Sequence, residues 1–230
     1  MAGRKFYSVT VKPTITASLM HDTAFGDGDV LFPFTEVPVD RGTSRLVSVT
    51  AVVRGTNGAR QEFPLDLVFS KSSSENSLGT INTTASMFPS NNIIGGHKIL
   101  VTDYGDGLDT FAITNSSAAK PDLIVAADSG ESIYVGGIAN GAFDFTSTVQ
   151  VGTETATNTT ALVVKTTSAE INFAAGDVLH DEDDLVIGTV SSVTNATNIV
   201  LTANCASVSA VNKDLYNVNP ITLIFGFECA

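Results

Sequence analysis

The sequence has no tryptophan and only 4 Tyr, so it offers few aromatic rings of the kind that stack on sugars. It is also poor in positive charge, with 12 Lys and Arg against 24 Asp and Glu and a formal net charge of −12. Phosphate binding is driven by Lys and Arg that release counterions, so this balance argues against a nucleic-acid partner. The acidity suits a solubilised outer surface, or a surface that docks onto a basic partner.

Cysteine and long apolar runs are scarce as well. Cys205 and Cys229 allow at most one disulfide, which the sequence alone does not establish, and we expect free thiols packed as small hydrophobes. No segment approaches the ~18 consecutive apolar residues of a membrane helix. Residues 1–13 pass from a basic pair into alternating residues without an apolar signal core. We therefore expect the chain to stay in the cytoplasm where it is made, unless an assembled particle carries it out.

The residues that are abundant favour strands. Hydrophobic residues make up 43% of the chain and charged residues 16%, which describes a soluble protein with a real core. Ser, Thr, Asn, Gly and Val recur throughout, whereas the charged helix formers of long amphipathic surface helices are few. The composition predicts an all-β protein, and a length of 230 residues allows one large domain or two smaller ones.

Period-two alternation locates the strands. A first strand is predicted at residues 6–17, interrupted by Pro13. Residues 46–53 and 63–69 alternate most regularly, and Asn57-Gly58 between them predicts an antiparallel hairpin. Further strands are predicted at residues 98–102, 111–114, 123–127, 132–138 and 221–227.

Residues 171–207 form a compact β pattern, with apolar residues at every second position and runs that end in Gly, Asp or Asn. Gly176-Asp177 precedes aliphatic residues, an acidic turn follows at residues 181–184, and Ile187-Gly188-Thr189-Val190 comes next. A polar turn at residues 194–198 leads to a closing segment at residues 199–204. This order resembles a small β-barrel module of structural proteins from tailed bacteriophages, marine and cyanobacterial phages among them.

The first part of the chain resembles a second phage pattern. Its pieces are a Gly-Asp-Val opening at residues 28–30, strands at residues 45–53 and 65–69, and Tyr134-Val135 followed by the Thr-Ser-Thr of residues 146–148. These features are similar to a β-sandwich of minor virion proteins and capsid-decoration-like proteins. The resemblance implies an antiparallel, jelly-roll-like sandwich.

In that sandwich family a closing strand follows the Thr-Ser-Thr segment after a few residues. Here the strand of the right character lies at residues 221–227, and the barrel-like pattern occupies the interval. We therefore expect a discontinuous sandwich of residues 1–148 plus 216–230, with a small β-barrel of residues 149–215 inserted before the last strand. Such an insertion is tolerated because the entropy of loop closure grows only with the logarithm of loop length.

Motifs for chemistry are missing from the sequence. The histidines lie in separate segments without zinc-site spacing, and no nucleophile elbow, Walker loop or Rossmann fingerprint occurs. The acidic turn Asp181 to Asp184 could bind calcium, face a basic neighbour, or form a solvated hairpin turn. The carboxylates of Asp27 and Asp29, and those of residues 103–109, are interpreted as turns in the same way. We predict no catalytic residue, no metal and no cofactor, and hence no enzyme.

Both resemblances imply a virion structural protein. The implied function is that of a decoration or cement protein, which binds the outside of the capsid and bridges subunits of the major capsid protein after assembly in the host cytoplasm. Self-association, as a trimer, is implied too. The charge and the lack of a long apolar segment lead us to expect neither a nucleic acid nor a membrane as partner. Two alternatives stay open, namely a tail, neck or baseplate component and a host-surface adhesin that binds a glycan through the barrel.

A contact mode is predicted at the N-terminus. An extended arm at residues 1–12 could add a strand to the sheet of a neighbouring subunit. Arg4, Lys5, Phe6 and Tyr7 are the predicted anchor contacts. The inserted barrel is expected to protrude from the particle.

Overall fold

A computed structural model gives the fold and describes residues 5–40, 42–54, 60–74, 77–86, 92–105, 111–114, 123–127, 132–145, 147, 149–165 and 169–229. The strands are β1 (Lys5–Val11), β2 (Val30–Pro38), β3 (Gly42–Arg54), β4 (Leu65–Ser70), β5 (Ile93–Ile99), β6 (Phe111–Ile113), β7 (Leu123–Ala127), β8 (Ser132–Ala139), β9 (Ala161–Val163), β10 (Val178–Asp181), β11 (Val186–Asn195), β12 (Asn198–Leu201), β13 (Leu215–Asn217) and β14 (Ile221–Cys229). The helices are α1 (Ala17–Asp22) and α2 (Ala169–Asn172), and Val101–Asp103 forms a 3-10 turn. Within the described ranges, no helix has the length and apolar character needed to cross a membrane.

Two antiparallel sheets form a sandwich, which confirms the predicted all-β class. One sheet has the order β1-β14-β3-β6 with β7 also paired to β3, and the other has the order β2-β8-β4-β5. Strands β1 to β4 alternate between the two layers, whereas β4 and β5 share one sheet and β6 and β7 share the other. The strands form because period-two alternation gives each of them one apolar face, and the two apolar faces bury each other.

The sandwich core is built from those inward faces. Phe225 of β14 and Phe69 of β4 meet edge to face across the layers, with ring centroids 5.6 Å apart. At another place in the core, Phe63 lies 4.1 Å from Phe143 and 5.0 Å from Phe145 between ring centroids. These rings supply much of the buried apolar area, which is the main stabilising term of the fold.

A third sheet follows β8, with the order β13-β10-β11-β12-β9. It encloses a separate hydrophobic cluster whose fully buried members all lie between Val149 and Leu215. We call residues 149–215 the module. The segment 149–152 lies between the two ends of this sheet, since Leu215 N donates to Val149 O at 2.8 Å and Gly152 N donates to Val163 O at 2.9 Å.

The chain returns to the sandwich after the module. The strand predicted at residues 221–227 is β14, which lies between β1 and β3 in the five-stranded sheet. Val218 links the two parts, because its carbonyl accepts from Ile15 N at 2.8 Å and its amide donates to Val178 O at 2.9 Å. The domain boundaries at 148/149 and 215/216 stay a prediction, because whether the module folds as a unit is a question for experiment.

Four local predictions were wrong. The strand predicted at residues 98–102 begins earlier and ends at Ile99 as β5, and residues 101–103 form a 3-10 turn. Strands β3 and β4 do not form a hairpin, because β3 pairs with β14, β6 and β7 whereas β4 pairs with β5 and β8 in the opposite sheet. The first strand ends at Val11, and residues 17–22 are helical. The alternation at residues 171 and 173 belongs to α2 and the loop after it, not to a strand. Alternation over so few residues does not separate a strand from a helical turn that buries one side.

Candidate functional site

The predicted contact residues lie at the start of β1. Arg4 lies outside the described residues. Lys5 is exposed and its Nζ donates to Asp40 Oδ2 at 2.5 Å, an interaction that raises the pKa of Lys5. Phe6 is 65% exposed, which is unusual for a ring of this size.

Tyr7 points in the opposite direction, towards the sandwich. Its ring stacks on Phe227 with centroids 5.3 Å apart. Its hydroxyl accepts from the Asp40 amide at 2.9 Å and lies 3.2 Å from Ser44 Oγ. Tyr7 therefore serves the fold of this chain, whereas the neighbouring Phe6 presents its ring to the outside.

The predicted N-terminal arm is a strand of the chain's own sheet. Residues 5–11 are β1, which pairs with β14 in a register that sets Lys5 opposite Cys229. In the described part of the chain β1 pairs with no other strand. A neighbour would therefore have to pair along the outer edge of β1, because residues 5–11 are not available as a free arm.

The acidic turn 181–184 is stabilised by hydrogen bonds within the chain. Asp181 is 1% exposed, and its Oδ1 accepts from the amides of Asp183 and Leu185 at 3.0 Å each. Its Oδ2 accepts from Ser209 Oγ at 2.6 Å. The interpretation of the stretch as a solvated turn is wrong for Asp181, whose carboxylate holds the turn closed from inside.

Its neighbours in the turn also bind protein groups. Asp184 has φ 64° and accepts from Ser18 N at 3.0 Å and from Ser18 Oγ at 2.5 Å, so it ties the turn to α1. Glu182 and Asp183 form ion pairs with Lys213 at 2.7 and 2.8 Å. Among the alternatives predicted for this turn, the structure shows the basic neighbour, which is Lys213 of the same chain.

His21 joins a cluster that no sequence spacing indicated. Ligand atoms of His21, Glu182 and Asp214 lie within 4.8 Å of one another. Glu182 already accepts from Lys213 Nζ at 2.7 Å and from the Asp214 amide at 2.9 Å, and His21 Nδ1 lies 3.0 Å from the hydroxyl of Tyr216. Burial raises the pKa of Tyr216 to about 12, so this hydroxyl stays protonated and available as a donor. The cluster joins α1 to the module.

A cleft opens where the module meets the five-stranded sheet. Its volume is about 460 Å³, and β3, β6 and β14 form one wall while the loop after α2 forms the other. Arg54 of β3 and Asp177 of the module face each other across it, with Arg54 Nη2 3.3 Å from Asp177 Oδ1. Lys12, just after β1, lines the same cleft.

Asp177 is the most buried charged group of this cleft, with 6% of its surface exposed. Desolvation raises its pKa, while Arg54, a hydrogen bond from the Ala174 amide and Lys12 act in the opposite direction. The Ala174 amide donates to Oδ2 at 2.7 Å. Both carboxylate oxygens are thus engaged, and the cations around Asp177 are the groups left to meet a ligand.

The other two carboxylate stretches, which the sequence predicts to be turns, do lie in local turns where the structure describes them. Asp29 Oδ2 accepts from Gly26 N at 2.6 Å, in a turn that contains the positive φ of Gly28. Asp103 Oδ2 accepts from Leu100 N at 2.8 Å. Residues 106–110 of the second stretch lie outside the described part of the chain.

Sequence reasoning missed the cleft. In the sequence Asp177 is only part of a Gly-Asp pair, and no spacing links it to Arg54, which is 123 residues away. The sequence signal that pointed to the cleft was Arg54, a charged residue at the end of an apolar strand, and that pattern is common on any sheet.

No protein-family model matches the chain. No curated protein matches its sequence either. The resemblance to phage virion proteins therefore stands on the residue patterns given above.

Proposed function

We propose that the chain is a non-catalytic structural protein of a tailed-phage particle, which binds the outside of the capsid and bridges neighbouring capsid subunits. The proposal begins from the two residue patterns that resemble phage structural proteins. The two-sheet β-sandwich is consistent with it, since double-sheet architectures are common among capsid and lectin domains, although a fold by itself does not define a function.

The observation that carries the proposal is the outer edge of β1. β1 is the terminal strand of its sheet, and Phe6 on it is 65% exposed. An unprotected edge strand is a template for pairing with another chain, and an exposed ring beside it adds apolar contact. A neighbouring subunit of the major capsid protein, or a second copy of this chain in a trimer, would pair there.

The proposed mechanism of stabilisation is mass action. A protein that binds only the assembled lattice shifts the equilibrium towards that lattice in proportion to its occupancy. The acidic surface, with a net charge of −12, would favour basic patches on the capsid.

The first experiment measures the copy number of the chain in purified particles of the phage that encodes it. Quantitative mass spectrometry would compare the chain with the major capsid protein. A ratio near one, or of one copy to a few capsid subunits, supports the capsid position. A ratio of a few per cent would move the protein to the tail, neck or baseplate, and absence from particles would refute both positions.

A second experiment tests the β1 edge. We expect Phe6→Ser to weaken rebinding to stripped particles by about tenfold, because an exposed aromatic anchor is lost, while stability changes by less than about 0.5 kcal/mol. The matched control is Val186→Ser, since Val186 is also an exposed apolar strand residue, at 43%, but lies on β11 of the module. Equal rebinding of the Phe6→Ser variant and the unchanged protein would show that β1 is not the contact.

A further inference from the structure

The cleft between the module and the five-stranded sheet has cationic donors in excess of its acceptors. A guanidinium has five N–H donors, and among the described residues the guanidinium of Arg54 donates one hydrogen bond, to Asp177. Lys12 brings three more N–H donors and forms no ion pair within the described part of the chain. The two cations, Lys12 and Arg54, outnumber the single carboxylate of Asp177. The cleft is therefore positive, although the whole chain has a net charge of −12.

The rest of the lining combines apolar and polar groups. Phe111, which is half-buried, contributes ring surface, and Asn219 and Thr222 contribute an amide and a hydroxyl. The Asn219 amide nitrogen donates to backbone oxygens of residues 12 and 13, which holds that side chain in place. Pockets of this kind, with apolar walls and a few fixed polar groups, suit a small organic ligand, and about 460 Å³ is within the usual range of ligand pockets.

We propose that this cleft binds an acidic sugar, that is, a monosaccharide unit that carries one carboxylate. The carboxylate would accept hydrogen bonds from Arg54 and Lys12, because a guanidinium matches its two oxygens. The C–H face of the sugar ring would lie against Phe111, and the hydroxyls would meet Asn219 and Thr222. The binding site is independent of the capsid position proposed above, so either proposal can fail alone.

Asp177 sets the charge of the ligand. It holds Arg54 by an ion pair and keeps one negative charge in the cleft. Arg54, Lys12 and Asp177 together carry a net charge of +1, which one carboxylate neutralises, whereas a doubly charged phosphate would leave a net negative charge in a partly desolvated cleft. The arrangement therefore favours a carboxylate over a phosphate.

The test is a titration of the full-length protein, labelled with ¹⁵N, with glucuronate, glucose and inorganic phosphate. We expect saturable shifts of the amides of residues 174–176 with glucuronate, and binding weaker by about tenfold for glucose, because glucose lacks the charge-assisted hydrogen bonds. Phosphate should also bind more weakly. Equal binding of glucose, or tighter binding of phosphate, would overturn the assignment to an acidic sugar.

Three substitutions make the test specific. Lys12→Gln removes an exposed ammonium without touching the core, and it should weaken glucuronate binding by about tenfold. Lys98→Gln is the matched control, because it makes the same change of charge on β5 in the other sheet. Equal losses in both variants would mean a general effect of charge and would refute the site. Thr222→Val gives an additional readout, with weaker binding of glucuronate and an unchanged fold.

Discussion

We expect His180 to contribute to the loss of stability of this protein in acid. It lies in β10, and desolvation lowers the pKa of its imidazole despite the nearby carboxylates of Asp184 and Asp181. The folded protein therefore keeps His180 neutral at pH values where the unfolded chain, with its ordinary pKa of 6.5, binds a proton. In that window the unfolded state holds more protons, so the free energy of unfolding falls as the pH is lowered.

We expect urea denaturation to show a fall in stability from about pH 7.5 to about pH 5.5, and a smaller fall for His180→Asn. Above about pH 7.5 the histidine is neutral in both states, so the two proteins should there have the same pH dependence. An unchanged slope in the variant would show that His180 does not contribute to the acid sensitivity. His97, whose pKa burial also lowers, would then be the next residue to replace.

At the scale of elements, the strands were easier to predict than their partners. Period-two alternation placed β3, β4, β8 and β14, because a half-buried strand needs an apolar residue at every second position. It did not reveal that β3 and β4 lie in opposite sheets, because an apolar face meets the core equally well from either layer. Pairing depends on which edges are left open by the other strands, and this is a property of the whole sandwich.

Close packing between backbone segments also restricts which residues an element can contain, as Gly152 in the segment 149–152 shows. A Cβ at Gly152 would lie 2.7 Å from the carbonyl carbon of Val164 and 2.9 Å from the amide nitrogen of Lys165. These are backbone atoms, so no side-chain rotation relieves the contact. Glycine is required here because the two segments approach closely.

Gly152→Ala should therefore destabilise the protein by about 1–3 kcal/mol, because the segment between the two ends of the module's sheet is pushed away from residues 164 and 165. Urea denaturation followed by circular dichroism measures the loss. Thr153→Ala is the matched control, since this neighbour is exposed and its change should stay within about 0.5 kcal/mol. Equal stability of both variants would mean that the segment shifts at no cost.

At the scale of the whole molecule, the core of the sandwich is discontinuous in sequence. The buried sandwich cluster takes residues from Val11 to Phe145 and then from Tyr216 to Phe227, while the module's cluster lies between them. Residues 156–158 are exposed and lie in an irregular loop of the module, which makes them accessible to a protease. The segment 212–219, by contrast, contains the buried residues Leu215, Tyr216 and Val218 and should resist cleavage.

Limited digestion with subtilisin should therefore cut first near residues 156–158, and the two fragments should still elute together in gel filtration. The reason is that β14 of the C-terminal fragment hydrogen-bonds between β1 and β3 of the N-terminal fragment. Addition of urea should separate them, which is the control for a completed cut. Clean separation without urea would mean that the domains are consecutive and that the module is not an insertion.

The sequence by itself determined the all-β class, the positions of most strands and the return of an apolar strand near the C-terminus, because these follow from composition and from the period of the residues. Only the tertiary structure decided the partners of β3 and β4, the burial of Asp181 and the meeting of Arg54 with Asp177 in one cleft. The physical reason is distance along the chain. Periodicity is a property of neighbouring residues, whereas desolvation and ion pairing depend on groups that folding brings together from segments far apart in sequence.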